Sequence, residues 1–196
     1  FKGRLNLKFK NRFSLLLFMF LLVVEQAMRP VSYLLRDVTP PHLTAFAVDL
    51  DVGTVELTFS ETVDASELDV GCIVLRGRAG NRPGGLGHTL RGTRTSGTRT
   101  LGGDGAVLTV VLSREDLDEI KRLPRLLVDA STAHIALPCA GGFRDTAFPA
   151  NYGFPTPETL ALGATAYVPD VTRPMLVSGA LDLDGPMLVL EFDETV

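Results

Sequence analysis

Residues 37–63 read DVTPPHLTAFAVDLDVGTVELTFSETV, and residues 170–196 read DVTRPMLVSGALDLDGPMLVLEFDETV. We call these the first segment and the second segment. They align without a gap at an offset of 133 residues, and about half of the positions are identical. Self-similarity at a fixed spacing is typical of repeat proteins. The alignment therefore predicts a tandem repeat, with a complete unit over residues 37–169 and the first hairpin of a truncated unit over residues 170–196.

Apolar and polar residues alternate in both segments. The pattern runs through VDLD at 48–51 and LDLD at 181–184, and a turn containing glycine follows each. Apolar residues then occupy every second position over 55–59 and over 188–192. A period of two indicates a strand with one buried face. Each segment is therefore predicted to form a β-hairpin whose apolar face can pack on a second sheet, and the truncated second segment is expected to have no such partner sheet.

Further elements are predicted between the two segments. The strands are expected at 72–76, 88–93, 106–112, 132–137 and 160–168. One helix is predicted to begin at Ser113, which forms a capping-box-like pattern with Asp116, and to carry an apolar stripe from Leu117 to Leu123 before Pro124 ends it. These elements indicate an all-β fold, an immunoglobulin-like Greek-key β-sandwich with one short connecting helix.

The beginning of the chain differs in charge from the rest. Residues 1–36 carry seven Lys or Arg and one Glu, whereas residues 37–196 carry twelve basic and twenty-two acidic residues. The basic start precedes a predominantly apolar run from Phe13 to Val24, which is the layout of a secretory signal peptide. The run is short for a spanning helix, which needs about 20 residues. We therefore predict a signal peptide or signal anchor and linker over 1–36. A buried helix or non-native upstream sequence is the alternative.

The acidic balance of residues 37–196 argues against nucleic-acid binding, because phosphates require a basic face. The Gly-, Arg- and Thr-rich stretch over 77–105 lacks the Lys-Ser or Lys-Thr ending of a phosphate-binding loop and has no aromatic residue to stack on bases. We interpret it as long hairpin loops. Loops of this kind are the surface best suited to contact a partner such as a cell-surface protein or a glycan.

Paired acidic residues beside the turns are candidate calcium ligands, since Ca²⁺ takes about six to eight oxygen ligands. The candidates are Asp49, Asp51, Asp182 and Asp184. Three more acidic residues are candidate partners, namely Asp37, Asp145 and Asp170. The spacing matches only the first ligands of an EF-hand loop. The alternative interpretation is the solvent-facing side of a strand that enters a turn.

The remaining polar residues give no catalytic pattern. Glu61 and Glu194 recur in Phe-x-Glu-Thr-Val, and we expect each to accept a structural hydrogen bond from a turn. His42, His88 and His134 are interpreted as ordinary strand residues. The sequence contains no HExxH, CxxC or nucleophile-elbow motif. No enzyme is therefore predicted, and no cofactor apart from the candidate calcium.

The two cysteines, Cys72 and Cys139, both lie in the complete unit. In a secreted protein they are candidates for one disulfide. The alternative is two buried free thiols, since Cys72 lies in an apolar stretch. Both interpretations are open at this point.

Several motifs resemble a known group of extracellular repeats. Asp-Val-Thr-x-Pro at the start of each segment and LTFSETVDASEL at 57–68 resemble bacterial Ig-like repeats, including modules of surface-layer-type proteins and of a cyanobacterial swimming-motility surface protein. They are also similar to tandem repeats in large extracellular proteins of algae and marine protists, which carry a Ser-x-x-Asp-Leu-x-x-Ile-Lys segment, here at 113–121. Such units usually end in an Asp-x-x-Gly-Asn turn, from which residues 144–148 depart.

The resemblance covers residues 37–196 and implies spacers, adhesins and sheath components without a shared active site. The expected function is a non-catalytic structural or adhesive module at the cell surface or outside the cell. It would be a stiff spacer whose partners are neighbouring repeats, with prolines restricting the linker at 167–174. A membrane would be contacted only through an uncleaved N-terminal segment. The alternative is a calcium-dependent or carbohydrate-binding adhesion module.

Overall fold

A computed structural model describes residues 35–80, 86–92 and 98–194. The segment predicted as a signal peptide or anchor, residues 1–36, lies outside this part apart from its last two residues. The described residues from Asp37 onward belong to one compact unit. None of the helices in the described part is long and apolar enough to cross a lipid bilayer.

The described part is mostly β-structure, with one α-helix and four short 3-10 helices. In chain order the strands are β1 Leu43–Asp49, β2 Thr54–Val63, β3 Val74–Arg76, β4 Gly87–Thr89, β5 Arg99–Leu101, β6 Gly105–Val111, β7 His134–Ala136, β8 Leu162–Gly163, β9 Ala166–Val168, β10 Leu176–Asp182 and β11 Met187–Phe192. The α-helix, α1, spans Arg114–Arg122. The 3-10 helices are Ala65–Glu67, Val70–Cys72, Ala130–Thr132 and Glu158–Leu160. An all-β fold class is therefore confirmed at this level.

The strands form two larger sheets and one separate hairpin. The first sheet has the order β5-β6-β2-β1-β9, and the second has the order β4-β3-β7-β8. Neighbouring strands are antiparallel throughout, except that β1 and β9 are parallel. The helix α1 follows β6 of the first sheet and leads towards β7 of the second, so it connects the two sheets.

One hydrophobic core is shared by both sheets and by the helix. Val55 and Leu57 from the first sheet, Leu75 and Ile135 from the second, and Ile120 from α1 are all buried in it. The side chains of β2 alternate between buried and more exposed positions, as the sequence pattern predicts. Every residue of the buried core lies between positions 43 and 161. The core is therefore complete without residues 170–194.

The helix α1 begins and ends where the sequence predicts. Ser113 is its N-cap, and its Oγ accepts a hydrogen bond of 3.1 Å from the Asp116 N–H. Leu123 is the C-cap and directly precedes Pro124. Within the helix Ile120 is buried, while Leu117 and Leu123 pack against the core. The predicted apolar stripe is therefore confirmed.

Several predicted strands are shorter in the structure. The strand predicted over 72–76 is confirmed only from Val74, because Cys72 lies in a 3-10 turn capped by the Asp69 carboxylate. The strand predicted over 132–137 likewise starts only at His134, after a turn capped by Asp129. In both places a local side-chain hydrogen bond stabilises the turn in preference to a longer strand.

The single strand predicted over 160–168 is wrong. The chain forms β8 in the second sheet and then β9 in the first, so it crosses between the sheets near Thr165. The Thr165 amide and hydroxyl both donate to the Phe46 carbonyl, at 2.8 Å each. These two hydrogen bonds hold the crossing against β1.

The second segment forms the hairpin that its sequence predicts. Strands β10 and β11 pair only with each other among the described strands and make a separate two-stranded sheet. Most of its large apolar side chains are exposed, including Leu181 and Leu188. The local structure of this hairpin is therefore formed without a covering sheet on its apolar face.

Cys72 and Cys139 are joined by a disulfide, with their Cα atoms 5.6 Å apart. Of the two alternatives that the sequence leaves open, the structure has the bonded one. The bond connects the turn before β3 to the chain that follows β7, and these two strands are neighbours in the second sheet. It therefore ties together two parts of the chain that the second sheet already brings into contact.

Candidate functional site

The candidate site lies where the second segment begins, and the same turn chemistry opens both segments. Asp37 Oδ1 accepts a hydrogen bond of 3.0 Å from the Thr39 N–H. Asp170 Oδ1 accepts one of 3.1 Å from the Thr172 N–H in the same way. The shared Asp-Val-Thr motif is therefore a local turn in which the aspartate caps the threonine amide.

The turns of the two hairpins are also capped alike. Asp49 Oδ1 accepts hydrogen bonds from the amides two and three residues ahead, at 2.9 and 3.1 Å. Asp182 Oδ1 does the same, again at 2.9 and 3.1 Å. Asp49 and Asp182 were candidate calcium ligands, and the structure places their carboxylates as turn caps.

Asp51 joins the first hairpin to the start of the second segment. Its Oδ1 accepts hydrogen bonds from the Val171 N–H at 3.0 Å, from the Thr172 N–H at 3.0 Å and from the Thr172 hydroxyl at 2.9 Å. These three donors, the Val171 amide first, lower the pKa of Asp51 below its ordinary value. Asp184 is the counterpart of Asp51 in the second segment and lies on an exposed turn.

Lys121 makes the second connection, from the last turn of α1. Its Nζ lies 2.6 Å from Asp170 Oδ2 and 2.8 Å from Glu194 Oε2, and its side chain is only 20% exposed. Burial lowers the pKa of Lys121, but the two carboxylates outweigh burial and the net shift is upward. The ammonium therefore stays charged and bridges both ends of the second segment.

The opposite end of α1 also contacts the second segment. Arg114 Nη2 donates a hydrogen bond of 3.0 Å to the Phe192 carbonyl at the end of β11. Near Lys121 and Asp170, a small cavity of about 260 Å³ is lined mainly by apolar side chains, including Leu50 and Tyr167. The junction thus combines hydrogen bonds, partly buried ion pairs and a cavity lined mainly by apolar side chains.

Asp37 and Glu61 of the first segment are the counterparts of Asp170 and Glu194, but they lie beside Asp145 instead of a lysine. Asp37, Glu61 and Asp145 each offer a carboxylate oxygen within 4.8 Å of the others. Asp145 is only 3% exposed and accepts hydrogen bonds from two backbone amides and from the Asn151 side chain. Burial raises the pKa of Glu61, and the negative charges of Asp37 and Asp145 raise it further.

The predicted calcium ligands are not brought together in the described part of the chain. That part contains one group of three acidic side chains close enough to share a metal ion, which is the Asp37, Glu61 and Asp145 group. Asp37 and Asp145 were candidate partners of the calcium ligands, whereas Glu61 was expected to accept a hydrogen bond from a turn. Glu194 was given the same expectation, and the structure places its carboxylate on Lys121 instead.

A buried polar network holds the start of α1. Asp116 accepts a hydrogen bond from the Thr98 hydroxyl and from the Arg91 N–H, and one of its oxygens lies 2.6 Å from His88 Nε2. Asp116, His88 and Thr98 are all buried. The aspartate lies between the histidine and the hydroxyl, so the histidine does not contact the hydroxyl as the base of a catalytic triad would.

A cleft of about 610 Å³ in the described part is open to solvent. It is lined by the turn over 65–70 and by Gly92, Thr100, Gly102 and Gly141. Clefts that bind small molecules are lined mostly by apolar and aromatic side chains. None of its described lining residues is aromatic, so the cleft adds no support for a glycan ligand.

Lys121 is the residue of the candidate site that sequence reasoning missed. It is the only lysine after residue 36, and it lies one turn before the proline that ends the predicted helix. The isolation of this single lysine in an acidic sequence was the available signal. Comparison of the chain with protein-family models, characterised proteins and solved structures found no match.

Proposed function

We propose that this chain is a non-catalytic extracellular structural or adhesive module, in which tandem repeats act as a stiff spacer. The finer fold in this proposal is an immunoglobulin-like Greek-key sandwich over residues 37–169, followed by the first hairpin of a second unit. Two sheets that share one core, with the helix α1 in one of the connections between them, support this interpretation.

The observation that carries the proposal is the Asp51 carboxylate at the start of the second segment. It accepts three hydrogen bonds from Val171 and Thr172, which belong to the Asp-Val-Thr motif shared by both segments. A spacer requires that each unit constrain the direction of the next. A carboxylate that fixes two consecutive residues of the linker supplies such a constraint, and Lys121 supports it.

The location outside the cytoplasm is supported by the disulfide between Cys72 and Cys139. Disulfides persist mainly in oxidising compartments, such as the extracellular space and the bacterial periplasm. The acidic surface supports protein partners over nucleic acid, since the residues from 37 onward carry a net charge of −10.

The proposal is tested by measuring residual dipolar couplings of the full chain in solution. We expect the amides of residues 37–169 and of residues 170–194 to fit one common alignment tensor. The variant Asp51→Ala removes the acceptor of three hydrogen bonds and should give the second segment a smaller alignment of its own. The matched control is Asp184→Ala, which removes the same charge from the exposed counterpart turn. Two independent tensors in the wild-type chain would contradict a stiff spacer.

A further inference from the structure

We infer that the carboxylates of Asp37 and Glu61 form a docking site for the Lys121 ammonium of a second copy of this unit, seated head to tail. The inference rests on the proposed repeat architecture and adds the partner of its exposed acidic end. In each unit, Lys121 and Asp51 would form the donor end, and the start of the first segment would form the acceptor end.

The first argument is structural equivalence within the chain. Asp37 and Glu61 correspond to Asp170 and Glu194 at the same offset that relates the two segments. In the second segment this pair holds the Lys121 ammonium at 2.6 and 2.8 Å. The two hairpins have the same strand register and the same bulge position. The same pair on the same backbone therefore has a known ligand, a lysine ammonium.

The second argument is charge. Asp145 adds a third carboxylate beside Asp37 and Glu61, and all three offer oxygens within 4.8 Å of one another. Arg144, which directly precedes Asp145, is paired with Asp64 and Glu67 instead. Like charges at this distance repel, and an added ammonium would relieve the repulsion.

The third argument is a second complementary contact. The linker residues that Asp51 binds, Val171 and Thr172, correspond to Val38 and Thr39 of the first segment. These two residues are exposed in the structure. A second copy placed like the second segment would therefore offer Lys121 to Asp37 and Glu61 and, at the same time, Asp51 to the amides of Val38 and Thr39.

In the full chain Lys121 is already occupied, so the test releases it by ending the chain after Pro169. The core is complete without residues 170–194, and cooperative thermal unfolding of the shortened chain is checked first. The shortened chain supplies a free Lys121, and the ¹⁵N-labelled full chain supplies a free acceptor end. A zero-length carbodiimide joins amines to carboxylates that are in contact. We expect a cross-linked peptide in which Lys121 of the unlabelled shortened chain is joined to Glu61 or Asp37 of the ¹⁵N-labelled full chain.

The variants are compared with the wild type by the strength of association between the shortened and the full chain, which is measured by sedimentation of their mixture. Asp37→Asn with Glu61→Gln in the full chain should weaken association about tenfold, because charge-assisted hydrogen bonds are lost. Lys121→Met in the shortened chain should weaken it equally, and combining the variants should add no further loss. The matched control Glu56→Gln removes the same charge from an exposed position on β2 and should leave association unchanged.

Three outcomes would overturn the inference. The first is a Lys121 cross-link to other carboxylates, or none at all. The second is a cross-link of Asp37 or Glu61 only to a lysine within residues 1–36. The third is a rise in the melting temperature of the full chain with CaCl₂ that Glu61→Gln abolishes, which would assign the group to a metal ion. If these occur while the dipolar couplings still fit one tensor, the spacer proposal stands and only the docking site fails.

Discussion

The first and second segments differ in burial although they share almost the same local structure. Every paired position of β1 and β2 has its counterpart in β10 and β11 at the offset of 133. Leu57 is nevertheless 0% exposed, whereas its counterpart Leu190 is 48% exposed. The segment sequence therefore encodes the hairpin, its bulge and its turn. Burial of the apolar face is supplied by α1 and the second sheet, which cover the apolar residues of the first segment and leave Leu181, Leu188 and Leu190 of the second exposed.

The two segments differ in the same way in their charges. The carboxylates of Asp170 and Glu194 both contact the ammonium of Lys121, whereas those of Asp37 and Glu61 lie beside a third carboxylate, that of Asp145. The same two carboxylates in the same local geometry are thus neutralised in the second segment and repel a third carboxylate in the first segment. The environment supplied by the rest of the chain decides the sign of the interaction.

The largest expected effect tests the difference in burial, by truncating the equivalent leucine in each segment. Leu57→Ala should lower the free energy of unfolding by about 2–5 kcal/mol, because it leaves a cavity in the core. Leu190→Ala should change it by no more than about 0.5 kcal/mol, since that side chain is half exposed. Urea denaturation of the full chain measures both. Equal losses would mean that the second segment also has a buried face.

Removing the lysine should separate the stability of the second segment from that of the core. Lys121→Met should raise amide hydrogen exchange in β11 about fivefold, which corresponds to a local loss of about 1 kcal/mol. Global unfolding should change little, because the core does not include Lys121. Arg122→Met is the matched control, since it removes a cation of the same helix that pairs with Glu119. An equal rise in exchange in the control would contradict the bridging role.

Acidification should loosen the junction through Asp51. The native pKa of Asp51 is lower than its ordinary value of 3.8, so its contribution is present above that value and is lost as the pH falls through the native pKa. The amide chemical shifts of Val171 and Thr172 should therefore change together below about pH 4. The raised pKa of Lys121 predicts a second loss at the alkaline end, as the pH rises above 10.5. Amide shifts that titrate near neutral pH would contradict this assignment.

The smallest expected effect compares the two equivalent glutamates. Glu61→Gln should stabilise the monomer by up to about 0.5 kcal/mol at neutral pH, because it removes a charge that Asp37 and Asp145 repel. Its raised pKa means that the wild-type chain recovers the same gain as the pH falls through the native pKa of Glu61. Glu194→Gln should instead loosen the second segment, since it removes a partner of Lys121. Thermal unfolding measures the first effect and hydrogen exchange the second; effects of the same sign would contradict the comparison.

Local patterns predicted the elements that local forces decide. The period of two predicted both hairpins, and Ser113 with Pro124 predicted the bounds of α1. The sequence failed where a side chain competes with the strand. Asp69 and Asp129 cap short turns, and these turns take the place of the first residues of the predicted strands. A propensity for extended structure does not include such hydrogen bonds.

The candidate site was predicted only in part, because its contacts join residues far apart in the sequence. Asp170 was a candidate partner in a calcium site, and the structure places its carboxylate on the Lys121 ammonium instead. Its partner Lys121 stood out in the sequence only as an isolated lysine, and the ion pair itself could not be predicted because it depends on where α1 places the lysine. Asp116 shows the same effect. Its backbone fits the predicted helix start, but its side chain bonds to His88 and Thr98 rather than back to Ser113.

The parallel pairing of β1 with β9 determines how residues 37–169 would respond to a pulling force. Ala47 pairs with Ala166 and Asp49 with Val168, so the first and last strands of residues 37–169 lie side by side and run in the same direction. A force applied at the two ends pulls β1 backwards and β9 forwards along their common axis. The hydrogen bonds between them, together with those from Thr165 to the Phe46 carbonyl, are then loaded in shear and at the same time. A pair loaded in this way must break all at once, whereas a hairpin pulled from its open end unzips one bond after another.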